Sequence, residues 1–374
     1  MLYPFTFKPI LKKVIWGGSD ICPFKGITPV ENGVGESWEL SHVEGNYSIV
    51  DNGELEGKSL DELIRSYGKE LLGEKVMERF GTTFPLLIKF IDARDNLSIQ
   101  VHPDDELAKK RHNSFGKTEM WYVVDGAPGA YLLDGFRRQV TADEYAARVA
   151  DQTLPEVLRR YDGRPGDVDY LPAGRVHSIG TGFFICEIQQ SSDVTYRIYD
   201  FGRVDSEGRP RQLHVEEAKE AIDYAVTEPE VRREIEANVP AELVRSPFFT
   251  TGAYRLTEPM TCDYADLDSF VILICTEGAC RVACGEEEVR RHIVPVEEML
   301  SDYPEFKTTD AFSDKMLANG NWLPREQVAT SGGDASAVLK DGMQVRMYSS
   351  TGNFTAIYQY VAVKNSLKNI KMFV

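Results

Sequence analysis

The segment LSIQVH, residues 97–102, constrains the fold most, because apolar and polar residues alternate along it without exception. Successive side chains of a β-strand point to opposite faces, so its three apolar residues share one face and Ser98, Gln100 and His102 the other. Pro103 cannot donate a hydrogen bond to a sheet and ends the strand. The pattern therefore predicts a strand that presents an amide and an imidazole together on one face.

Similar short strands recur along the chain, separated by glycine and proline. Further strands are predicted over residues 84–92, 120–124, 130–133, 168–172, 183–189, 248–256 and 269–289. Helices are predicted from the capping residue Ser59, over residues 104–112, over an insertion at about 141–161, and over 214–224. Many short strands broken by a few helices indicate a mainly β barrel or sandwich with helical insertions.

Charge and composition limit the classes of function. The chain of 374 residues has a net charge of −17, and its acidic excess lies before residue 291, because nine basic and nine acidic residues make up the charges from there onward. An acidic body argues against non-specific binding to nucleic acid or to an anionic membrane. No run of 18 apolar residues and no signal-peptide pattern occurs, so no membrane span is predicted. Six cysteines without a CxxC pair then indicate free thiols and a cytoplasmic protein.

Four polar residues have the types and spacing of metal ligands. Gln100 and His102 point the same way from one strand, and Glu119 comes directly before another. His177 ends the segment 166–177, in which a strand stops at a proline and a glycine permits a tight turn before the imidazole. Two imidazoles, a carboxylate and an amide oxygen suit Zn²⁺ and leave positions for water or substrate, so we predict one zinc ion per chain.

Seven stretches of the sequence carry a resemblance to a known family. They are VIWGG (14–18), GESWELS (35–41), PLLIKFID (85–92), LSIQVHPDD (97–105), GKTEMWY (116–122), PAGRVH (172–177) and EIQQSSDVTYR (187–197). Residues 166–177 match the second metal motif of the cupin superfamily up to its histidine, and together the stretches resemble class I mannose-6-phosphate isomerases of the short bacterial type. The resemblance covers about residues 1–285 and implies a cupin, a jelly-roll β-barrel.

The resemblance also implies a reaction and a set of site residues. Enzymes of this family interconvert mannose 6-phosphate and fructose 6-phosphate, so an aldose–ketose isomerase acting through an enediol is expected. The zinc ligands of the family fall on Gln100, His102, Glu119 and His177. Its catalytic positions fall on Arg197, Lys117 and Asp193. A guanidinium suits stabilisation of the enediolate charge, whereas the base is Asp193, Lys117 or a zinc-bound water.

Other polar and aromatic residues have both a functional and a structural interpretation. Trp16 is predicted to stack on the sugar, and Ser41 and Lys89 to bind the phosphate. Packing in the core is the alternative for Trp16. The remaining histidines match no partner and are interpreted as structural or solvated: His42, His112, His214 and His292.

Two other functions fit the same four ligands. A non-enzymatic sugar-binding cupin is one, and an iron-dependent oxygenase, which uses two histidines and a carboxylate, is the other. Lys117 and Arg197 lie close to the ligand motifs in sequence and would suit a phosphorylated substrate, which favours the isomerase. Metal analysis and an isomerase assay separate these hypotheses.

The resemblance to the isomerases ends near residue 290. We predict a catalytic cupin over residues 1–235, a partial second cupin over 240–290, and a small α+β tail of different origin over 291–374. The tail resembles the C-terminal domain of bacterial tRNA pseudouridine synthases of the TruB type. Because the catalytic domain of such a synthase is missing, no pseudouridine chemistry is expected. The tail alone raises a further hypothesis, an RNA-associated protein, but the acidic charge of the rest of the chain argues against a nucleic-acid partner. The expected partner is a small sugar phosphate.

Overall fold

The computed structural model describes residues 2–204, 207–227, 235–280, 282, 303–330 and 338–372. The chain divides into two compact units, Met1–Leu273 and Ile274–Val374. The five cysteines among the described residues form no disulfide. None of the helices in these ranges combines the length and the apolar character that crossing a bilayer requires.

Short β-strands make up most of the first unit. The strands are β1 (Phe7–Lys8), β2 (Ile10–Gly18), β3 (Val34–Leu40), β4 (His42–Val43), β5 (Asn46–Tyr47), β6 (Ile49–Val50), β7 (Leu86–Ala93), β8 (Ile99–Val101), β9 (Glu119–Gly126), β10 (Leu132–Phe136), β11 (Leu158–Tyr161), β12 (Val168–Leu171), β13 (His177–Ile179), β14 (Phe183–Gln190), β15 (Tyr196–Tyr199), β16 (Ala241–Arg245) and β17 (Thr250–Ala253). The α-helices are α1 (Ile21–Phe24), α2 (Leu60–Tyr67), α3 (Lys69–Leu72), α4 (Glu74–Phe80), α5 (Asp105–His112), α6 (Ala142–Ala150) and α7 (Val215–Ala221).

Two antiparallel sheets form the barrel-like core of this unit. The larger sheet has the strand order β12-β9-β14-β7-β2-β3 and the smaller one β11-β10-β13-β8-β15. Apolar side chains of both sheets pack in the space between them, with Trp121 and Ile185 from the larger sheet and Leu132 and Ile179 from the smaller. The two-layered, mainly β architecture with helical insertions confirms the predicted fold class.

Burial along β8 explains why its sequence alternates so strictly. Ile99 and Val101 point away from the barrel and pack in an apolar cluster with residues of the helices α6 and α7, such as Tyr145 and Ala218. The alternate residues therefore point into the barrel, because neighbouring side chains of a strand lie on opposite faces. His102, just beyond the strand, is 1% exposed, so both faces of this segment are buried and the polar one lines the interior.

The helices begin where capping residues occur. Ser59 accepts a hydrogen bond from the Glu62 amide, and Glu62 returns one to the Ser59 amide, which is the capping box expected for α2. Asp104 caps α5 with a single side-chain hydrogen bond, which it accepts from the Leu107 amide. The predicted insertion at 141–161 is helical as α6 and as a 3₁₀ turn over Leu154–Val157, but its last four residues are the strand β11, because they pair with β10.

The part of the chain predicted as a partial second cupin is a small sheet. Within the described ranges, strands β16 and β17 pair with each other alone, as a two-stranded antiparallel sheet. The strands predicted over residues 269–289, on either side of a hairpin turn at 276–279, are wrong for residues 269–275 and 280, which contain no strand. A strand needs a neighbour for its backbone hydrogen bonds, and no described strand pairs with this segment. Residues 281 and 283–289 lie outside the described ranges.

The second unit, as far as the structure describes it, is one mixed sheet with a helix. Its elements are β18 (Glu305–Thr308), α8 (Ala311–Ala318), β19 (Leu323–Pro324), β20 (Val328–Thr330), β21 (Gln344–Tyr348), β22 (Phe354–Val361) and β23 (Ser366–Met372). The strand order is β19-β23-β22-β21-β18-β20, in which β18 and β21 are parallel. The α+β character predicted for the tail is confirmed, and β21 and β22 form an antiparallel hairpin. Its resemblance to a pseudouridine synthase domain stays a prediction.

Candidate metal centre

Ligand atoms from both sheets meet inside the barrel. Gln100 on β8 and His177 at the start of β13 are directly paired across the smaller sheet, so their side chains share one face. His102 follows β8 on the same face, and Glu119 starts β9 in the larger sheet. One ligand atom each from His102, Glu119 and His177 lies within 4.8 Å of the others, and all three residues are buried.

Backbone carbonyl groups set the orientation of both imidazoles. His102 donates from Nδ1 to the Val194 carbonyl oxygen at 2.9 Å, and His177 donates from Nδ1 to the Arg175 oxygen at 2.8 Å. Each ring therefore carries its proton on Nδ1 and turns an unprotonated Nε2 towards Glu119, at 3.4 Å for His102 and 3.2 Å for His177. A hydrogen bond at the outer nitrogen is the usual support of a metal-bound histidine.

The carboxylate of Glu119 is the clearest sign that a cation belongs here. Glu119 is fully buried, and its Oε2 forms an ion pair with Lys117 Nζ at 2.9 Å. Its Oε1 has no hydrogen-bond donor among the residues that the structure describes. Burial raises the pKa of this group, but Lys117, His102 and His177 outweigh it and hold the pKa well below its usual range. Lys117 leaves Oε1 facing the unprotonated Nε2 of His177 at 3.2 Å, and a divalent cation bound by both atoms would satisfy them. The three side chains thus fit a zinc site.

Gln100 completes the predicted ligand set. Its Nε2 lies 3.3 Å from His177 Nε2, and Ser98 Oγ lies 3.4 Å from its Oε1. A half-turn of the terminal amide would place Oε1 beside His177 Nε2, where an amide oxygen could bind zinc. The structure therefore brings together the four residues that the sequence predicted as ligands.

Lys117 lies against the same ligand atoms. Its Nζ is 2.9 Å from Glu119 Oε2 and 3.0 Å from His102 Nε2. Burial lowers the pKa of His102 to about 3, and the Lys117 charge acts in the same direction. His102 is therefore neutral at physiological pH, as a metal ligand must be.

Lys89 belongs to a second buried pair near the centre, and its partner was missed by the sequence analysis. Lys89 Nζ is 3.1 Å from Glu187 Oε1, and the Trp121 indole donates to Glu187 Oε2 at 3.0 Å. Burial alone would lower the pKa of Lys89, but the charges of Glu187, Glu36 and Glu119 raise it above its usual value. Glu187 could have been found as the one carboxylate in the buried strand β14, since a buried charge requires a partner.

Arg197 faces the metal ligands from the edge of the smaller sheet. It lies on β15 directly opposite Gln100, so its side chain shares the face that carries Gln100 and His177. Its Nη1 donates to the Gln212 carbonyl oxygen at 2.9 Å, whereas its buried Nε has no hydrogen-bond partner within the described ranges. Burial lowers the pKa of this guanidinium, and Arg211 acts in the same direction. Asp193 precedes β15 and is exposed, and its catalytic role stays a prediction.

The other two predicted substrate-binding residues are held by structural contacts. Trp16 is 5% exposed and packs in the apolar cluster between the sheets. Ser41 is fully buried at the end of β3, where its hydroxyl accepts from the Val43 amide and its amide donates to Ser48 Oγ. The role of both residues in substrate binding stays a prediction.

Known proteins are similar in sequence to this chain over most of its length. The family model for the catalytic domain of type I phosphomannose isomerase matches residues 5–126. Mannose-6-phosphate isomerase ManA of Bacillus subtilis (strain 168) is 35% identical over 287 residues, which are 76% of this chain and 88% of that protein. The mannose-6-phosphate isomerase of Streptococcus mutans is 33% identical over 290 residues, 77% of this chain and 89% of the relative.

Solved structures agree with these relatives. The crystal structure of the mannose 6-phosphate isomerase from Bacillus subtilis superposes with a TM-score of 0.56 at 32% identity, over 67% of this chain and 79% of that one. A putative mannosephosphate isomerase from Archaeoglobus fulgidus, 24% identical with a TM-score of 0.52, shares the fold. Since relatives more than 30% identical are matched over most of their own length, the chain belongs to the type I mannose-6-phosphate isomerase family.

Proposed function

We propose that this chain is a zinc-dependent isomerase that interconverts mannose 6-phosphate and fructose 6-phosphate. The observation that carries the proposal is the buried group of His102, Glu119 and His177, whose unprotonated nitrogens and carboxylate converge inside the barrel of a chain of this family. The same residue types would serve iron. The family membership and the basic residues beside the centre favour zinc and a phosphorylated sugar.

The reaction moves a proton between C1 and C2 of the sugar and passes through an enediolate. Zinc bound by Gln100, His102, Glu119 and His177 would act as a Lewis acid that polarises the sugar oxygens. Lys117 and Asp193 are the side chains proposed to move the proton, since general acid–base catalysis needs a group within hydrogen-bond reach of the reacting carbon. Lys117 is already fixed beside two of the ligands.

Charge stabilisation falls to Arg197 in this proposal. The enediolate carries negative charge that must be matched by donors already in position, because such donors need no rearrangement during the reaction. Arg197 offers an Nε that has no hydrogen-bond partner among the described residues, on the same face of the sheet as Gln100. Lys89, paired with Glu187, supplies further positive charge and is proposed to bind substrate.

The experiment combines metal analysis with an isomerase assay. Purified protein should contain one zinc ion per chain and convert mannose 6-phosphate to fructose 6-phosphate. Arg197→Ala should keep its zinc and lose about a hundredfold or more in kcat, the scale seen when one charge-stabilising donor is removed. Arg164→Ala, at an exposed arginine, is the matched control and should keep wild-type kcat.

Two results would contradict the proposal. Iron in place of zinc, with no isomerase activity, would favour the oxygenase hypothesis. Tight binding of the sugar phosphate without turnover would favour a binding module. An unchanged kcat in Arg197→Ala would leave the isomerase intact but remove Arg197 from its mechanism.

A further inference from the structure

Among the strands that the structure describes, the strand of Arg197 has one neighbour. In the smaller sheet β15 is terminal and pairs with β8. The backbone groups on the other side of a terminal strand have no strand to bond to, so a loop, a side chain or water must supply their partners. The position of Arg197 therefore depends on what lies against this free edge.

The segment 212–214, which precedes α7, covers that edge through three hydrogen bonds to Arg197. The His214 amide donates to the Arg197 carbonyl oxygen at 2.7 Å. The Arg197 amide donates to the His214 imidazole at Nδ1, 3.2 Å away. The third bond runs from Arg197 Nη1 to the Gln212 carbonyl oxygen at 2.9 Å. Both backbone groups of Arg197 and its guanidinium are thus bound to the same three residues.

The side chain of His214 does not cap the helix at whose start it lies. His214 occupies the N-cap position of α7 but makes no capping hydrogen bond with its side chain. Residues at this position usually bond to amides of their own helix, and histidine is not among the preferred ones. The imidazole instead bonds to the neighbouring strand. That bond requires an unprotonated Nδ1, and burial, followed by the charges of Arg197 and His112, lowers the pKa of His214 against the opposing effect of Glu217.

We infer that His214 is a positioning residue for Arg197, which it holds at the free edge of β15 opposite Gln100. Because both backbone groups of Arg197 are bound to His214, its pair with Gln100 is a non-hydrogen-bonded one, in which side chains approach more closely. The inference rests on the proposed role of Arg197 in the isomerase reaction. It also revises the interpretation of His214 as a histidine without a partner.

The test compares two substitutions at His214. His214→Leu keeps the bulk of the side chain but removes the acceptor, whereas His214→Asn keeps an acceptor oxygen close to the place of Nδ1. His214→Leu should lower kcat by about ten- to a hundredfold, because small misplacements of a catalytic group have effects of that size. KM should change by less, bound zinc should not change, and His214→Asn should recover most of kcat.

His42→Leu is the matched control. The imidazole of His42 also accepts a backbone hydrogen bond, from the Phe84 amide at 3.4 Å, but it lies on β4 outside the barrel sheets. Its substitution should lower the melting temperature and leave kcat unchanged. A purely structural role for His214 would give the same result in His214→Leu, a lower melting temperature with wild-type kcat, and that would overturn the inference.

Hydrogen exchange at the Arg197 amide separates this inference from the proposed function. The amide should exchange at least about tenfold faster in His214→Leu than in the wild type, and slowly again in His214→Asn, since exchange reports local opening. Equal exchange in all three proteins would overturn the inference even if the wild type is an active isomerase. An inactive wild type would refute the proposed function, while the exchange rates would still decide whether His214 holds Arg197.

Discussion

A buried carboxylate pair between the two sheets should make the stability of this protein fall as pH rises. Asp134 on β10 and Asp169 on β12 are 1% and 3% exposed. Arg175 donates to Asp134 at 2.8 Å, and the Tyr161 hydroxyl donates to Asp169. One guanidinium thus faces two carboxyl groups. Burial, and next the charge of Asp134, raise the pKa of Asp169 to about 8.

The direction of the effect follows from proton binding. Asp169 keeps its proton at neutral pH in the folded chain and releases it near the usual aspartate pKa of 3.8 when the chain unfolds. Unfolding therefore releases a proton between about pH 4 and pH 8, and the free energy of unfolding decreases as pH rises across that window. The slope is about 1.4 kcal/mol per pH unit, which amounts to about 3 kcal/mol between pH 5.5 and pH 8.

Asp169→Asn tests this reasoning, because asparagine has the shape of the protonated acid and stays neutral. Its oxygen can accept from Tyr161 and its amide can donate to Asp134, as the protonated carboxyl group does. Urea unfolding at about pH 5.5, 7 and 8 gives the free energy at each pH. The wild type should lose about 3 kcal/mol more than Asp169→Asn over this range. Asp162→Asn, at an exposed residue just after β11, should behave like the wild type. Equal pH dependence in the wild type and Asp169→Asn would refute the conclusion that Asp169 is protonated in the folded chain at neutral pH.

Three further predictions concern the metal centre, a helix start and the tail. His102→Ala should lose its zinc in elemental analysis, because one of the buried ligands is gone; full retention of zinc would contradict the ligand assignment. Ser59→Ala should lower the free energy of unfolding by about 1 kcal/mol through loss of the capping box of α2, measured by urea unfolding, and no change would contradict the cap. A chain that ends near residue 290 should still bind zinc, though with lower solubility; a folded, soluble product without zinc would show that the tail contributes to the site.

The metal ligands could be predicted because each carries a local signal. The alternation around Gln100 and His102 shows that both lie on one face, and Glu119 and His177 stand at strand starts marked by glycine and proline. The resemblance to the isomerase family then groups them. In the same way, Ser59 and Asp104 predict where two helices start, and the structure confirms both starts. Capping can be predicted because it depends on residues only three positions apart.

Several contacts in and around the site have no such local signal in the sequence. Glu187 meets Lys89 across 98 positions of the chain, and Asp134 meets Asp169 and Arg175 only because β10, β12 and the turn before β13 converge. His214 lies 17 positions from Arg197 and has the sequence surroundings of an ordinary helix start. Such contacts depend on the register between strands, which no stretch of sequence states locally.

Local pattern was therefore enough to predict most of the strands and the helix caps, and together with the resemblance it singled out the four residues predicted as ligands. Side-chain alternation and capping depend on neighbours a few residues apart, so the sequence by itself expresses them. Tertiary structure alone decided that the polar face of β8 lines the barrel while Ile99 and Val101 pack against helices. It also decided which charges are buried together, and hence the directions of their pKa shifts, because burial and Coulomb interactions depend on distances in space. The position of Arg197 on the terminal strand of the smaller sheet, and its hydrogen bond to His214, are likewise set by the tertiary structure.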